Sequence, residues 1–275
     1  MRSSELFAVA YFAYLGLAAI VRRLAPVRRG ALLVVSVASG AAIVALAHTA
    51  SEPVRDWAPA VYILVGYFAS GLLAVAPSPR FEAWLSIWDR RWLTFDRAGG
   101  VTTFLAWPRW FVAYLELVYM GCFLLIPAGL VALQWGGHRT LTNRYWLVVL
   151  ASEFGAFAPL AFVEARPPWA LEPKARLLDS PAHQGIHRAV SQAASHWIQY
   201  LTIGVNTFPS GHVAGSLAVA FAVIGAVPWA GALLLALAVS IAIACVAGRY
   251  HYIVDVVAGA LLAAGAWAVA SLFRL

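Results

Sequence analysis

Charge and cysteine are both scarce in this chain. Charged residues make up 11% of the 275 residues, where an ordinary soluble domain carries about 25%. So little charge excludes a water-soluble globular domain. The net charge of +7 does not mark a nucleic-acid partner, because the arginines sit in the gaps between apolar runs, as membrane proteins distribute them. The two cysteines, Cys122 and Cys245, each fall inside an apolar run, which argues against a disulfide framework or a thiolate metal site. No polar linker divides the chain, so a single domain is expected. Residues 5–21 lack a basic leader and a small-residue cleavage site, so they read as a first membrane span and not a cleaved signal.

What remains is apolar. Hydrophobic residues make up 63% and the mean hydropathy is +0.80. A span needs about 20 largely apolar residues, and eight runs qualify: 5–21, 31–49, 58–77, 110–133, 146–164, 212–228, 230–247 and 252–273. Helix is the reading for each, since lipid leaves unpaired backbone groups without partners. The expected fold is therefore an all-α integral membrane protein: two N-terminal helices over residues 1–57, then a six-helix domain over 58–275. Tryptophans cluster near the span ends, as in an aromatic belt.

Two longer connections stand between spans. Residues 78–109 mix Phe81, Trp84, Leu85, Trp88 and Trp92 with Arg80, Asp89, Arg90 and Arg91, the pattern of an interfacial amphipathic segment. Within 165–210, Ile186, Val190, Ala194, Trp197 and Leu201 recur at helical spacing opposite His187, Arg188, Ser191 and Gln199. That is a second amphipathic helix, lying either in the headgroup plane or on the protein itself. Eight crossings put Arg2, Arg55, Arg139, Arg144 and Arg274 on one side and the other 14 of the 19 basic residues on the opposite side. The positive-inside rule makes the richer side cytoplasmic.

Three polar clusters fall on that richer side. Pro209-Ser210-Gly211-His212 stands where a loop becomes a span. Proline suits the first helical turn, and the N–H groups at a helix N-terminus form an anion site. Ser210 adds a hydroxyl, Gly211 permits close approach of an oxyanion, and His212 can supply a proton. The plain alternative is a helix start with a capping serine. Next, His251 and Asp255 are four residues apart and share a helix face. The carboxylate can fix one imidazole nitrogen and leave the other to attack or accept a proton; otherwise the pair merely holds a helix end. Arg166 and Arg249 offer bidentate donors for phosphate, or serve as interface anchors. The hairpin 212–247 returns the chain to its starting side, which puts His212, His251 and Arg166 at one membrane face.

Residues from about 80 to 270 resemble the type 2 phosphatidic acid phosphatase superfamily, which includes vanadium haloperoxidases and bacterial acid phosphatases. The middle motif matches fully. The resemblance implies that His251 is a nucleophile forming a phosphohistidine, that Asp255 orients it, and that His212 protonates the leaving group. It implies that Arg166, Ser210 and the backbone at Gly211 hold the phosphate, with Arg249 in place of a more distant motif arginine, and that neither metal nor cofactor is needed. The substrate would be a lipid phosphate, drawn from the surrounding membrane lipids. Family habit places such a site outside the cytoplasm, opposite to the arginine count. Two positions depart from the pattern: Pro159 stands where the first motif has lysine, and Cys245 where the third has arginine. The Arg249-Tyr250-His251-Tyr252 form is similar to the inositol phosphorylceramide synthase branch, which implies transfer to an alcohol as the runner-up to hydrolysis. A non-catalytic lipid transporter or binding protein is the reading from a different class. Lys174 or Arg176 could stand in for the missing lysine.

Glu116 and Glu153 fall within spans, where a charge costs roughly 2.5–3.5 kcal/mol on insertion scales. They are expected to be structural glutamates hydrogen-bonded to Tyr or Ser, the alternative being a headgroup or proton contact. His48, His138, His183, His187 and His196 fall in loops or on the second amphipathic helix.

Overall fold

The computed structural model describes residues 1–95, 101–104, 106–171, 203 and 205–273. Within these residues the regular structure is helical, with two isolated bridges, Phe95 with Val101 and Ala165 with Asn206. The helices are α1 (Ser3–Val21), α2 (Pro26–Thr49), α3 (Glu52–Gly71), α4 (Pro79–Trp92), α5 (Arg109–Met120), α6 (Cys122–Trp135), α7 (Thr142–Phe157), the short α8 (Pro168–Leu171), α9 (Gly211–Ile224), α10 (Pro228–Ala247) and α11 (Ile253–Leu272). Proline opens several of them: Pro26, Pro79 and Pro228 take the first helical position of α2, α4 and α10, where a missing N–H costs nothing.

Among the described residues four helices, α1, α2, α10 and α11, are long and apolar enough to cross a membrane, and the bent pair α5–α6 makes a fifth if it is one span. The protein is thus an integral membrane protein on length and composition. The remaining expected spans differ in instructive ways. Residues 110–133 form no single rod; the helix breaks at Gly121 and turns by 66°. The run 146–164 becomes α7, which ends at Phe157, followed by a 3₁₀ turn, Ala158–Ala161, that contains Pro159. Sixteen residues reach about 24 Å, short of a hydrocarbon core of about 30 Å. The run 58–77 becomes α3, which starts earlier, so its first turns carry Glu52, Arg55 and Asp56; residues 52–57 therefore belong to it. The second amphipathic helix, with His183, His187, His196, Lys174 and Arg176, lies outside the described residues.

α9 stands at the centre. Ten of its 14 residues are buried, as expected of a helix that is apolar all round, and it packs against α6, α7, α10 and α11. Helices α1 and α3 pack on α7, where Tyr11 stacks on Phe154 at 3.9 Å between centroids. α2 lies outermost. Only Leu32, Ser36 and Ile43 are buried, while Val34, Val37 and Val44 are exposed. An apolar surface of that kind calls for hydrocarbon as its solvent.

The arginines separate into two networks. Arg2 and Arg139 both pair with buried Asp56, at 2.8 and 2.7 Å, and Arg55 with Glu5 at 2.8 Å. These basic residues are the ones that the crossing count puts together. At the other end Arg22 pairs with Glu164 at 3.4 Å, Arg166 with Glu82 at 2.8 Å and Arg249 with Asp89 at 2.7 Å. The candidate site belongs to this second end.

α4 packs on α11 at that end. Its buried face is Glu82, Leu85 and Asp89, spaced for one side of a helix. Trp84, Ile87, Trp88 and Trp92 are exposed. The amphipathic reading of this segment holds for the helix, with two carboxylates on its inner face.

Candidate active site

The site is built where α9 and α11 begin and α10 ends. Ser210 caps α9, its hydroxyl accepting from the Val213 N–H at 3.4 Å, and Thr207 accepts from the Gly211 N–H at 3.2 Å. Ser210 is fully buried. The capping role is therefore present, and the hydroxyls of Ser210 and Thr207 already satisfy two of the N-terminal amides. The backbone N–H of Ser210 donates to the carbonyl of Asp255 at 3.0 Å, which ties the start of α9 to the first turn of α11.

Asp255 lies at the third position of α11 and closes a capping box with Tyr252. Its Oδ2 accepts from the Tyr252 N–H at 2.9 Å and from Nδ2 of Asn206 at 2.7 Å. The same oxygen lies 3.4 Å from Nδ1 of His251. On the far side of that ring, Nε2 lies 3.3 Å from Nδ1 of His212. Carboxylate, imidazole and imidazole thus follow one another in a line, and Asp255 and His251 are buried while His212 is partly open. The tautomers of the two rings decide which one donates across the 3.3 Å contact.

The break in the α5–α6 span serves this line. Tyr119 precedes Gly121 and Phe123 follows it, and the bend lays both on His212. Tyr119 stacks on the imidazole at 4.9 Å between centroids and Phe123 meets it at 5.7 Å. Tyr119 also stacks on Tyr250 at 4.1 Å. The Tyr250 hydroxyl donates to Glu116 at 2.8 Å, a tyrosine partner of the expected kind. Glu153 differs: it makes no hydrogen bond among the described residues and lies against α9 in the space left by Gly211 and Gly215.

The two arginines occupy different settings. Arg166 is half-exposed and its backbone is tied to the site. The Tyr252 hydroxyl donates to its carbonyl at 3.2 Å, and the Asn206 N–H donates to the neighbouring Ala165 carbonyl at 2.9 Å. Glu82 accepts from the backbone N–H, Nε and Nη2 of Arg166, at 2.8, 2.9 and 2.8 Å. Arg249, expected at the phosphate, is fully buried and donates from Nη1 to Asp89 at 2.7 Å. Its φ of 57° is a left-handed conformation that costs an L-residue about 1–2 kcal/mol. The structure brings His212, His251, Asp255, Ser210 and Gly211 together, with Arg166 alongside and Arg249 turned into the protein.

At the two departing positions, Pro159 stands in the 3₁₀ turn and Cys245 is buried near the end of α10, where its carbonyl accepts from the N–H groups of Tyr250 and His251, both at 3.0 Å. Among the described residues no cluster of His, Cys, Asp and Glu fits a metal ion. The sequence reading passed over Asn206, Thr207, Glu82 and the Asp89 contact. The acidic stripe of α4 carried a signal, since Glu82 and Asp89 flank Leu85 at helical spacing in a segment otherwise rich in arginine and tryptophan.

Two outcomes follow from this geometry. A β-carbon at Gly259 would come within 2.7 Å of the Ser210 carbonyl and 3.3 Å of Val213. Gly259→Ala is expected to destabilise the protein by about 1–3 kcal/mol, the range for overpacking, and to slow turnover by displacing the start of α9. Thermal unfolding in detergent with a parallel activity assay checks this; an unchanged midpoint and rate would contradict it. The second concerns acid. The bonds from Arg166 hold the Glu82 carboxyl below its ordinary value of 4.5, outweighing the opposing effect of burial. A lowered carboxyl stabilises the fold above that ordinary value, and the contribution is lost as pH falls through the lowered one. The wild type is expected to unfold at a higher temperature than Glu82→Gln at neutral pH, and the gap to close on acidification. A gap that widens in acid would contradict the assignment.

The site is thus a pair of touching histidines, one at the N-terminus of α9 and the other backed by a carboxylate at the start of α11, in a helical membrane protein. The family model of the PAP2 superfamily matches residues 83–269, well over half of the chain, and the protein belongs to that superfamily. Its members are phosphatases or phosphotransferases. No curated protein and no solved structure matches the chain.

Proposed function

We propose that this protein is a membrane lipid phosphate phosphatase working through a phosphohistidine on His251, with phosphatidic acid-like lipids or polyprenyl phosphates and diphosphates as substrates. The line Asp255–His251–His212 carries the proposal, at 3.4 and 3.3 Å between successive atoms. Asp255 holds the proton on Nδ1 of His251 and leaves the Nε2 lone pair for attack. The arriving phosphate parts the two rings. The His251 Nε2–P bond forms, the P–O bond to the lipid breaks, and His212 gives its proton to the departing oxygen. Water then attacks phosphorus with His212 as base, the P–N bond breaks, and phosphate leaves. The developing charge on the phosphoryl oxygens meets the N-terminus of α9 at Gly211, with the Ser210 hydroxyl beside it. Arg166 is partly open to solvent, and Nη1, the guanidinium nitrogen not bonded to Glu82, can meet a phosphate oxygen while that pair stays intact.

Transfer to an alcohol is the second reading. It is favoured by the Arg249-Tyr250-His251-Tyr252 form. The phosphohistidine is the same, and a lipid or inositol hydroxyl replaces water. The test is turnover of lipid phosphates by purified protein in detergent and chelator, with and without inositol or diacylglycerol. Free phosphate in the absence of acceptor supports the phosphatase. A new phosphodiester formed only with acceptor supports the transferase. Neither product from a monodisperse sample contradicts both and favours a non-catalytic lipid-binding role.

A further inference from the structure

Arg249 is the first residue beyond the cap of α10, a position where helices usually place glycine. Its N–H donates to the Val246 carbonyl at 3.1 Å, and the Tyr250 and His251 N–H groups donate to Cys245 at 3.0 Å. These bonds turn the chain sharply out of α10 and set the direction in which His251 leaves it. Glycine would take the left-handed conformation without strain, so the turn alone does not call for arginine. The side chain does: it reaches Asp89, on α4, at 2.7 Å. The second oxygen of Asp89 accepts from the Ile253 N–H at 2.9 Å. One carboxylate, 1% exposed, therefore holds the chain two residues before His251 and two residues after it.

We propose that Asp89 and Arg249 are a positioning pair that aims His251, in place of the phosphate-binding role that the sequence pattern suggests for Arg249. The inference rests on reading His251 as the nucleophile. The guanidinium is fully buried with Nη1 on Asp89, and pulling it away to a phosphate would leave a buried carboxylate uncompensated, which is strongly unfavourable. The Asp89 contacts act on backbone and side chain at both edges of the nucleophile's turn, and attack geometry is sensitive to displacements of about 1 Å. Asp89 thereby works with Asp255: one fixes the turn and the other the ring.

The test compares wild type, Asp89→Asn, Arg249→Gly and the double variant, all in detergent with a lipid phosphate substrate. Each single change is expected to lower kcat roughly 10- to 100-fold with KM within about twofold, and the double variant to fall no further than the worse single one, as for residues acting as a unit. The carbon-13 resonance of the His251 ring, assigned by its loss in His251→Gln, is expected to move in each variant. A rise in KM and weaker inhibition by inorganic phosphate in Arg249→Gly, with Asp89→Asn unaffected, would overturn the inference and make Arg249 a phosphate ligand. Multiplying effects in the double variant would overturn it as well. Should wild type turn over no lipid phosphate, the phosphatase reading fails, and the resonance decides the positioning alone: a shift in Asp89→Asn sustains it and an unmoved signal sinks it. If Asp89→Asn does not fold, Asp89→Glu keeps the charge on a longer arm and is expected to show the same loss of kcat at constant KM.

Discussion

His251→Ala is expected to abolish phosphoryl transfer whatever the leaving group, whereas His212→Ala recovers when the leaving group no longer needs a proton. The two imidazoles touch at 3.3 Å, so they are close enough to exchange roles, and only their surroundings separate them. His251 has Asp255 on its Nδ1 side and is buried; His212 has aromatic faces, Tyr119 and Phe123. A histidine with a carboxylate behind it is oriented for attack, while one held by stacking is positioned to pass a proton. Loss of the nucleophile is expected to cost on the order of 10⁴-fold or more. Loss of the general acid is expected to cost about 10²–10⁴-fold on an alkyl phosphate and far less on p-nitrophenyl phosphate, whose phenolate departs unaided. Rates of both variants on both substrates check this. Rescue of His251→Ala by the activated substrate, with His212→Ala left inactive, would exchange the two assignments.

Asp255→Asn is expected to cost about 10²–10⁴-fold in kcat while the fold survives, because it removes the negative charge behind the His251 ring. Oδ2 now accepts from Asn206, from the Tyr252 N–H and from the His251 ring. An amide oxygen in the place of Oδ2 can receive the same three bonds, but it carries no charge. As Nε2 bonds to phosphorus the imidazole becomes cationic, and a neutral amide behind Nδ1 stabilises that cation far less than a carboxylate does. The Asp255 carbonyl still receives the Ser210 N–H, so α9 and α11 stay joined. Turnover and thermal unfolding of the purified variant separate the two consequences. An Asp255→Asn protein with wild-type kcat would remove Asp255 from the mechanism.

The parts of this site that were legible in the chain are those written locally. Pro209 to His212 lie on consecutive residues at a helix start, and His251 with Asp255 on one helix turn, so spacing alone brought each group together. The hairpin between them placed both at one end of the bundle by counting crossings. The contact of Arg249 with Asp89 spans 160 residues, and that of Arg166 with Glu82 spans 84; no local pattern encodes such partners. Hydropathy found the run 110–133 but not its break, because an apolar run records how well a segment suits lipid and not which way it points. The bend at Gly121 matters most here, since it lays Tyr119 and Phe123 on His212. Pro159 was visible as a departure from the family pattern, yet it also ends the regular helix of α7, a structural effect that the motif comparison overlooked.

The central claim is that His251 carries the phosphoryl group. Brief exposure of purified protein to a phosphorus-32-labelled lipid phosphate, followed by an alkaline quench, tests it directly, because a phosphorus–nitrogen bond survives base and hydrolyses in acid. The account expects acid-labile label on the peptide containing His251, present in wild type, retained in His212→Ala with a good leaving group, and missing from His251→Ala. Product release at full rate with no label, or label that persists in His251→Ala, would contradict it.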